Sequence, residues 1–248
     1  MIYDTFSFYN EFDVLRKRLK YLYNHVDKFV LAESTVTHSG QPKELLFEKR
    51  KNEFAEYLDK IIHVIVDDNP TDKNPWAREN HQRNCTTRGL IDAKPDDIVL
   101  ISDVDEIPMV ETIKHFASGS GVMVASVHMV AFQYSFKYIQ VHEPWFGTVM
   151  TRKKNVDENS PQYFRDKRWT FPRYENSGWH LSSFGDGSHV YNKLKTYAHC
   201  NDEKHQNGLT EEDFDKIVKS GKWTDGKTEL PQTPYEILKA IPVEVLHG

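Results

Sequence analysis

Asp96-Asp97-Ile98-Val99-Leu100-Ile101-Ser102-Asp103-Val104-Asp105-Glu106-Ile107-Pro108 is the stretch that decides the fold. Its centre is an unbroken apolar run. Such a run suits a strand covered on both faces, as in the parallel sheet of an α/β protein. It ends in Asp-x-Asp-Glu, and open α/β sheets bind ligands beyond the carboxyl ends of their strands. Asp103 and Asp105 are two apart, so an extended backbone points both carboxylates the same way. Hard oxygen ligands placed there suit Mg²⁺ or Mn²⁺, which complete their shells with water and phosphate. The plainer reading is a solvated acidic turn or a helix cap. An unpaired charge beside a buried run is costly, and this favours the metal–diphosphate reading.

Outward from this strand, β-prone and helical segments alternate. Ile2–Phe8, Lys28–Glu33 and the β-branched Ile61–Val66 read as strands. Phe12, Leu15, Leu19 and Leu22 recur at helical spacing over about 10–24. Further helices are expected over 48–59, 76–92, 109–117, 187–198 and 210–219, with a strand over 122–130. The aromatic segment 132–150 reads as strand-rich, 153–178 as loops and the tail as irregular. The alternation predicts a Rossmann-like α/β domain.

Composition narrows the function. The 248 residues suit one sizeable core, and 32 Lys plus Arg against 37 Asp plus Glu leave a net charge of −5. That balance argues against a nucleic-acid partner. The opening residues have no basic, apolar leader, and no run of 18 apolar residues predicts a transmembrane span. Cys85 and Cys200 cannot build a disulfide framework and read as two free thiols. Asn84-Cys85-Thr86 matches a glycosylation triplet, which we read as coincidence without a secretion signal.

Several ordered motifs together resemble glycosyltransferase family 17, the family of bisecting N-acetylglucosaminyltransferases. They are MIYDTFSFYNEFDVLRKRL, ESTVTHSGQPK, WARENHQRN, DDIVLISDVDEIP, SGWHLSSFG and KLKTYAH, and they span about residues 1–205. The resemblance implies a GT-A-type nucleotide-sugar-binding domain with a mixed central sheet. Residues of about 1–130 would form the donor-binding half and 131–248 the acceptor-binding half. It also implies inverting transfer of GlcNAc from the donor UDP-GlcNAc to a glycan acceptor, with Mn²⁺ or Mg²⁺ on Asp103 and Asp105. Eukaryotic relatives sit behind a Golgi anchor, which this chain lacks, so a bacterial or viral enzyme working in the cytoplasm is expected.

The remaining candidates follow. Glu33 ends the second strand, and with Thr35 it could meet uracil or ribose; a strand-end carboxylate and a turn hydroxyl is the alternative. Asp4, Phe6 and Asn10 lie where they could face the same cleft. Glu79 and Arg83 share a helix face at i and i+4, either as a surface ion pair or with Arg83 on donor phosphate. Ser102 and Lys193 are further donor contacts. On residues alone, Gly178-Trp179-His180 reads as a buried Trp and a structural His. The resemblance turns it into a sugar-binding corner, with Trp179 stacking on a pyranose and His180 as the base, Glu106 being the alternative. His199 takes the late-chain metal-ligand place common in GT-A enzymes, with His180 next. Two positions on, where the family commonly carries an acid, stands Asn201. The basic segment from Arg152 to Arg173 reads either as a loop closing over the diphosphate or as a solvated face. Competing classes are a nucleotidyltransferase or phosphohydrolase on the same acidic turn, and a non-catalytic nucleotide-sugar or glycan-binding module.

Overall fold

The computed structural model describes residues 1–71, 74–119, 121–141, 143–198 and 208–247. Four strands, β1 (Ile2–Phe8), β2 (Lys28–Ser34), β3 (Ile61–Val66) and β4 (Ile98–Asp103), run parallel in the order β3-β2-β1-β4. Parallel neighbours need crossovers. These are α1 (Phe12–Leu22), then α2 (Leu46–Arg50) with a tight helical segment Lys51–Tyr57, then α3 (Pro75–Asn84) with a second one, Cys85–Leu90. Asn74 caps α3 by accepting from the Trp76 N–H, and Pro75 opens it, where its missing donor is harmless. The single helix expected over 76–92 tightens at Cys85. Gly89 there lies against β2, where an added Cβ would meet Val30 Cγ1 at 2.4 Å.

The second half extends the sheet with antiparallel and mixed pairing. Its first elements are β5 (Glu106–Pro108), α4 (Val110–Ala117), β6 (Ala125–Gln133), β7 (Ser135–Ile139) and β8 (Trp145–Arg152). Then come α5 (Lys153–Glu158), α6 (Pro161–Lys167), β9 (Arg173–Tyr174), β10 (Gly178–Ser182), α7 (Gly187–Thr196) and α8 (Glu211–Ser220), with α9 (Tyr235–Lys239) and α10 (Val243–His247) in the tail. The path β3-β2-β1-β4-β8-β6-β10-β5 makes one mixed sheet, with β7 and β9 paired to β6. Only Val104 and Asp105 separate β4 from β5, yet three strands intervene along the path. At 3.8 Å per Cα step the two strands stay within about 11 Å, so this part of the sheet curls back on itself.

Two expectations fail here. The segment 153–178 is not mainly loop: Ser160 caps α6 and Pro161 opens it. The tail is not irregular throughout, because α10 packs on α1 and buries Val245. The main core lies beneath the sheet against α1 and α4, and a second cluster lies on the opposite side around Val30, Val99, Leu90 and Phe164. Among the described residues no helix is long and apolar enough to cross a membrane.

Candidate functional site

The turn between β4 and β5 is built from beneath. Arg18 occupies the buried stripe of α1 beside Val14, Leu15, Leu19 and Leu22. Its Nη1 donates to the carbonyls of Asp103 at 3.2 Å, Val104 at 3.3 Å and Glu106 at 2.6 Å. Its Nε and Nη2 donate to Asp4 at 2.8 and 2.5 Å. Both side chains are fully buried, so the pair is tolerable only because its hydrogen bonds are filled. One guanidinium thereby fixes the backbone that carries Asp103, Asp105 and Glu106.

Glu106 is also fully buried. Its Oε1 accepts from Arg165 Nη2 at 2.6 Å and Trp145 Nε1 at 2.9 Å. Its Oε2 accepts from Arg165 Nη1 at 2.8 Å and the Asp103 N–H at 2.9 Å. Asp103 accepts from Arg83 Nη2 at 3.0 Å and Arg165 Nη2 at 2.7 Å. Burial pushes its pKa up, but the guanidiniums of Arg165 and Arg83 outweigh that and hold it well below the carboxylate range. Glu79 in turn accepts from Arg83 at 2.7 Å.

Asp105 has different partners. Its Oδ2 lies 3.1 Å from Lys193 Nζ and 3.7 Å from His180 Nε2. Burial opposes its ionisation, but the Lys193 charge beside it lowers its pKa overall. His180 stacks on the Trp145 indole, with ring centroids 4.2 Å apart and planes 10° apart. Its pKa falls below the ordinary value, chiefly through burial, so the ring is neutral at pH 7. Its Nδ1 is buried and has no hydrogen-bond partner among the described residues.

Asp103, Asp105, Arg83, Lys193 and His180 therefore meet around one turn, but the expectation that both carboxylates face one ion is modified. Asp105 sits in the turn past the end of β4, and the two acids draw separate cations. Glu106 is not placed as a base, because its four acceptor positions are taken. Trp179 is not at the site. It alternates with His180 along β10, pairs with Ile107, and packs edge-on against Tyr21 in the main core at 3% exposure. Ser102 is buried, 2.7 Å from Thr148 Oγ1. Glu33 is fully buried, accepting from the Phe47 N–H at 3.0 Å and lying 3.1 Å from His63 and 3.7 Å from Lys43. Thr35 donates to the Val66 carbonyl at 3.3 Å. Asp4 and Phe6 belong to the core rather than a cleft. His199 lies outside the described residues, as do Asn201 and Cys200.

Trp145, Arg165 and Arg18 are site residues that the sequence reading missed. Arg18 had a signal, a charged residue in the apolar stripe of α1. Arg165 lay in the basic segment but is an internal cation on a helix, not part of a closing loop.

Two hollows lie outside the turn, and the first shares Lys193 with it. A narrow one of about 60 Å³, beyond the ends of β1 and β2, is lined by Phe8, Tyr9, Thr37, Lys43, Gln82 and Lys193, among others. A larger one of about 410 Å³ joins the start of α1 to the start of α7 and is lined by Asn10, Glu11, Asp13, Arg50, Phe184, Asp186 and His189, among others. His189 Nε2 is buried there without a partner among the described residues.

The family model described as Glycosyltransferase family 17 matches residues 1–233. Beta-1,4-mannosyl-glycoprotein 4-beta-N-acetylglucosaminyltransferases of Homo sapiens and Rattus norvegicus are each 36% identical to the chain over 107 residues. The match covers 40% of this chain and 20% of each relative, so the chain spans about a fifth of the length of the curated relatives it matches. Among solved structures, the mannosyltransferase PcManGT from Pyrobaculum calidifontis, in complex with GDP-Man and Mn²⁺, is 11% identical. That match covers 88% of this chain and 68% of that one, with a TM-score of 0.45. A glycosyltransferase involved in glycosylation of the major capsid of PBCV-1 is 8% identical, with 88% and 98% covered and a TM-score of 0.37.

Proposed function

The chain belongs to glycosyltransferase family 17, and from that premise we propose an inverting, metal-dependent transfer of GlcNAc from UDP-GlcNAc to a glycan hydroxyl. The observation that carries this reading is the turn after β4, where Asp103 and Asp105 stand beside a neutral, buried His180.

The donor meets the rim of the narrow hollow beyond β1 and β2, where Lys43 and Lys193 supply positive charge and Tyr9 an aromatic face. Thr35, at the rim of β2, and Arg83, held by Glu79, complete the donor side. The acceptor occupies the larger hollow, whose carboxylates suit sugar hydroxyls and whose Phe184 suits a pyranose face. Residues of about 1–130 remain the proposed donor-binding half and 131–248 the acceptor-binding half, with Lys193 lent to the donor hollow and Asn10, Glu11 and Asp13 to the acceptor hollow.

A divalent cation fits the chemistry of this donor set: two hard carboxylates at the turn, with His180 Nε2 3.7 Å from Asp105. Asp103 and Asp105 would hold it, with His199 as the further ligand, and when bound it neutralises the diphosphate and makes UDP a better leaving group. Arg83, Arg165 and Lys193 already balance the three acids of the turn. A diphosphate arriving alone would leave its charge uncompensated, which supports Mn²⁺ or Mg²⁺ as its companion.

His180 is the base. Its neutral ring accepts the acceptor hydroxyl proton as that oxygen bonds to the anomeric carbon. The bond from that carbon to the UDP oxygen breaks, and UDP carries the electron pair away. The stacked Trp145 fixes the ring plane. Measuring UDP release from UDP-GlcNAc with and without Mn²⁺ tests the reading. UDP release that is independent of metal and of acceptor would overturn it.

A further inference from the structure

Helix α3 has a second chemical face. Glu79 and Arg83 lie on the side that reaches Asp103. At about 100° per residue, His81 and Cys85 fall on the opposite side, one turn apart. His81 Nε2 is 3.3 Å from Asp68 Oδ1, in the segment after β3, and 3.4 Å from Cys85 Sγ. The three ligating atoms all lie within 4.8 Å of one another.

We propose that Asp68, His81 and Cys85 form a three-ligand site for a borderline-soft divalent cation of the Zn²⁺ type, separate from the Asp103–Asp105 turn. The spacing carries the argument. Zinc bonds of about 2.0–2.1 Å to nitrogen and oxygen and 2.3 Å to sulfur, at tetrahedral angles, separate N from O by about 3.3 Å and N from S by about 3.6 Å. The side chains already stand close to those separations without an ion. Two helical ligands at i and i+4 are a common way to present a zinc edge. A thiolate, an imidazole and a carboxylate select zinc-like ions over Mg²⁺. One thiolate and one carboxylate also cancel the dication's charge.

The surroundings support the site. Arg88 holds the other carboxylate oxygen, Asp68 Oδ2, at 2.6 Å, which orients Oδ1 toward His81. Cys85 is buried, while His81 is partly open and Asp68 exposed, so an ion reaches the thiol from the solvent side. Binding takes the thiolate and releases its proton to solvent. The ion would tie the segment after β3 to α3, the helix whose other side positions Asp103. This inference stands apart from the transferase reading, and either can fail alone.

Co²⁺ titration of the whole chain tests it. The expected result is one equivalent with a thiolate-to-cobalt charge-transfer band and tetrahedral d–d absorption. Cys85→Ser should abolish the charge-transfer band, and His81→Ala should weaken binding at least about tenfold. Asp105→Asn should leave the band intact. If Cys85→Ser fails to fold, His81→Ala carries the test through a Zn²⁺-dependent rise in Tm that wild type has and the variant lacks. The proposal is overturned if wild type gives no thiolate band, or if the band survives Cys85→Ser and so belongs to Cys200.

Discussion

Glu106→Gln separates a structural anchor from a catalytic base. The Glu106 oxygens face donors only: Arg165 twice, the Trp145 indole N–H and the Asp103 backbone N–H. A glutamine presents one oxygen and one NH₂, so whichever way the amide turns, two of the four bonds are lost and donors face donors. Hydrogen bonds to charged groups contribute about 1.5–3 kcal/mol each, so the loss is about 3–6 kcal/mol. Breaking one side of a buried ion pair gives a similar figure, about 3–5 kcal/mol. For a chain of this size that lowers Tm by roughly 6–24 °C. Urea unfolding with an unchanged m-value measures it. UDP release should fall as well, because the Asp103 N–H loses its acceptor. A variant of wild-type stability with abolished turnover would refute the reasoning and restore Glu106 as the base.

Asp105→Asn should keep its fold, since the Lys193 side chain retains 18% exposure, and should lose Mn²⁺-dependent UDP binding in calorimetry. His180→Ala should cut turnover by about 10²–10⁴-fold and leave UDP–Mn²⁺ affinity near wild type. His199→Ala should weaken that affinity itself; if the two histidine variants behave the other way round, their roles exchange. The base must be unprotonated, and burial lowers the His180 pKa. The kcat/KM profile in wild type should therefore lose activity on the acid side only below pH 6.5, the ordinary histidine value. The same shift predicts a stability contribution present above pH 6.5 and lost as pH falls through the folded-state value.

How much of this was legible in the sequence depended on the range over which each contact acts. The four parallel strands and their crossovers were readable, because continuous apolar runs and the helical spacing of α1 are local signals. The helix α6 had a local signal too, Ser160-Pro161, but a segment dense in lysine and arginine hid it. The acidic turn was readable as a place, since strand ends are where α/β sheets bind ligands. Its wiring was not. Asp103 meets Arg83 and Arg165, which lie 20 and 62 residues away, while Asp105 meets Lys193, 88 residues away. No spacing rule reaches that far.

Trp179 and His180 show the same limit at its sharpest. Adjacent residues on a strand face opposite sides, so one of the two had to turn from the cleft. The sequence fixes that they differ but not which is which. That choice is made by β5, which pairs Trp179 with Ile107 in the main core and His180 with Glu106 at the turn. The aromatic partner expected for a sugar then comes from elsewhere. Trp145, on β8, stacks on His180 and donates its indole N–H to Glu106, so one ring fixes both the candidate base and the anchor beneath it. Arg18 belongs to the same logic. A lone arginine in an apolar helical stripe is expensive unless its donors are filled, and here three turn carbonyls and Asp4 fill them. A buried charge in an otherwise regular apolar pattern therefore marks a backbone that must be held in one conformation, and in this chain that backbone carries the Asp-x-Asp.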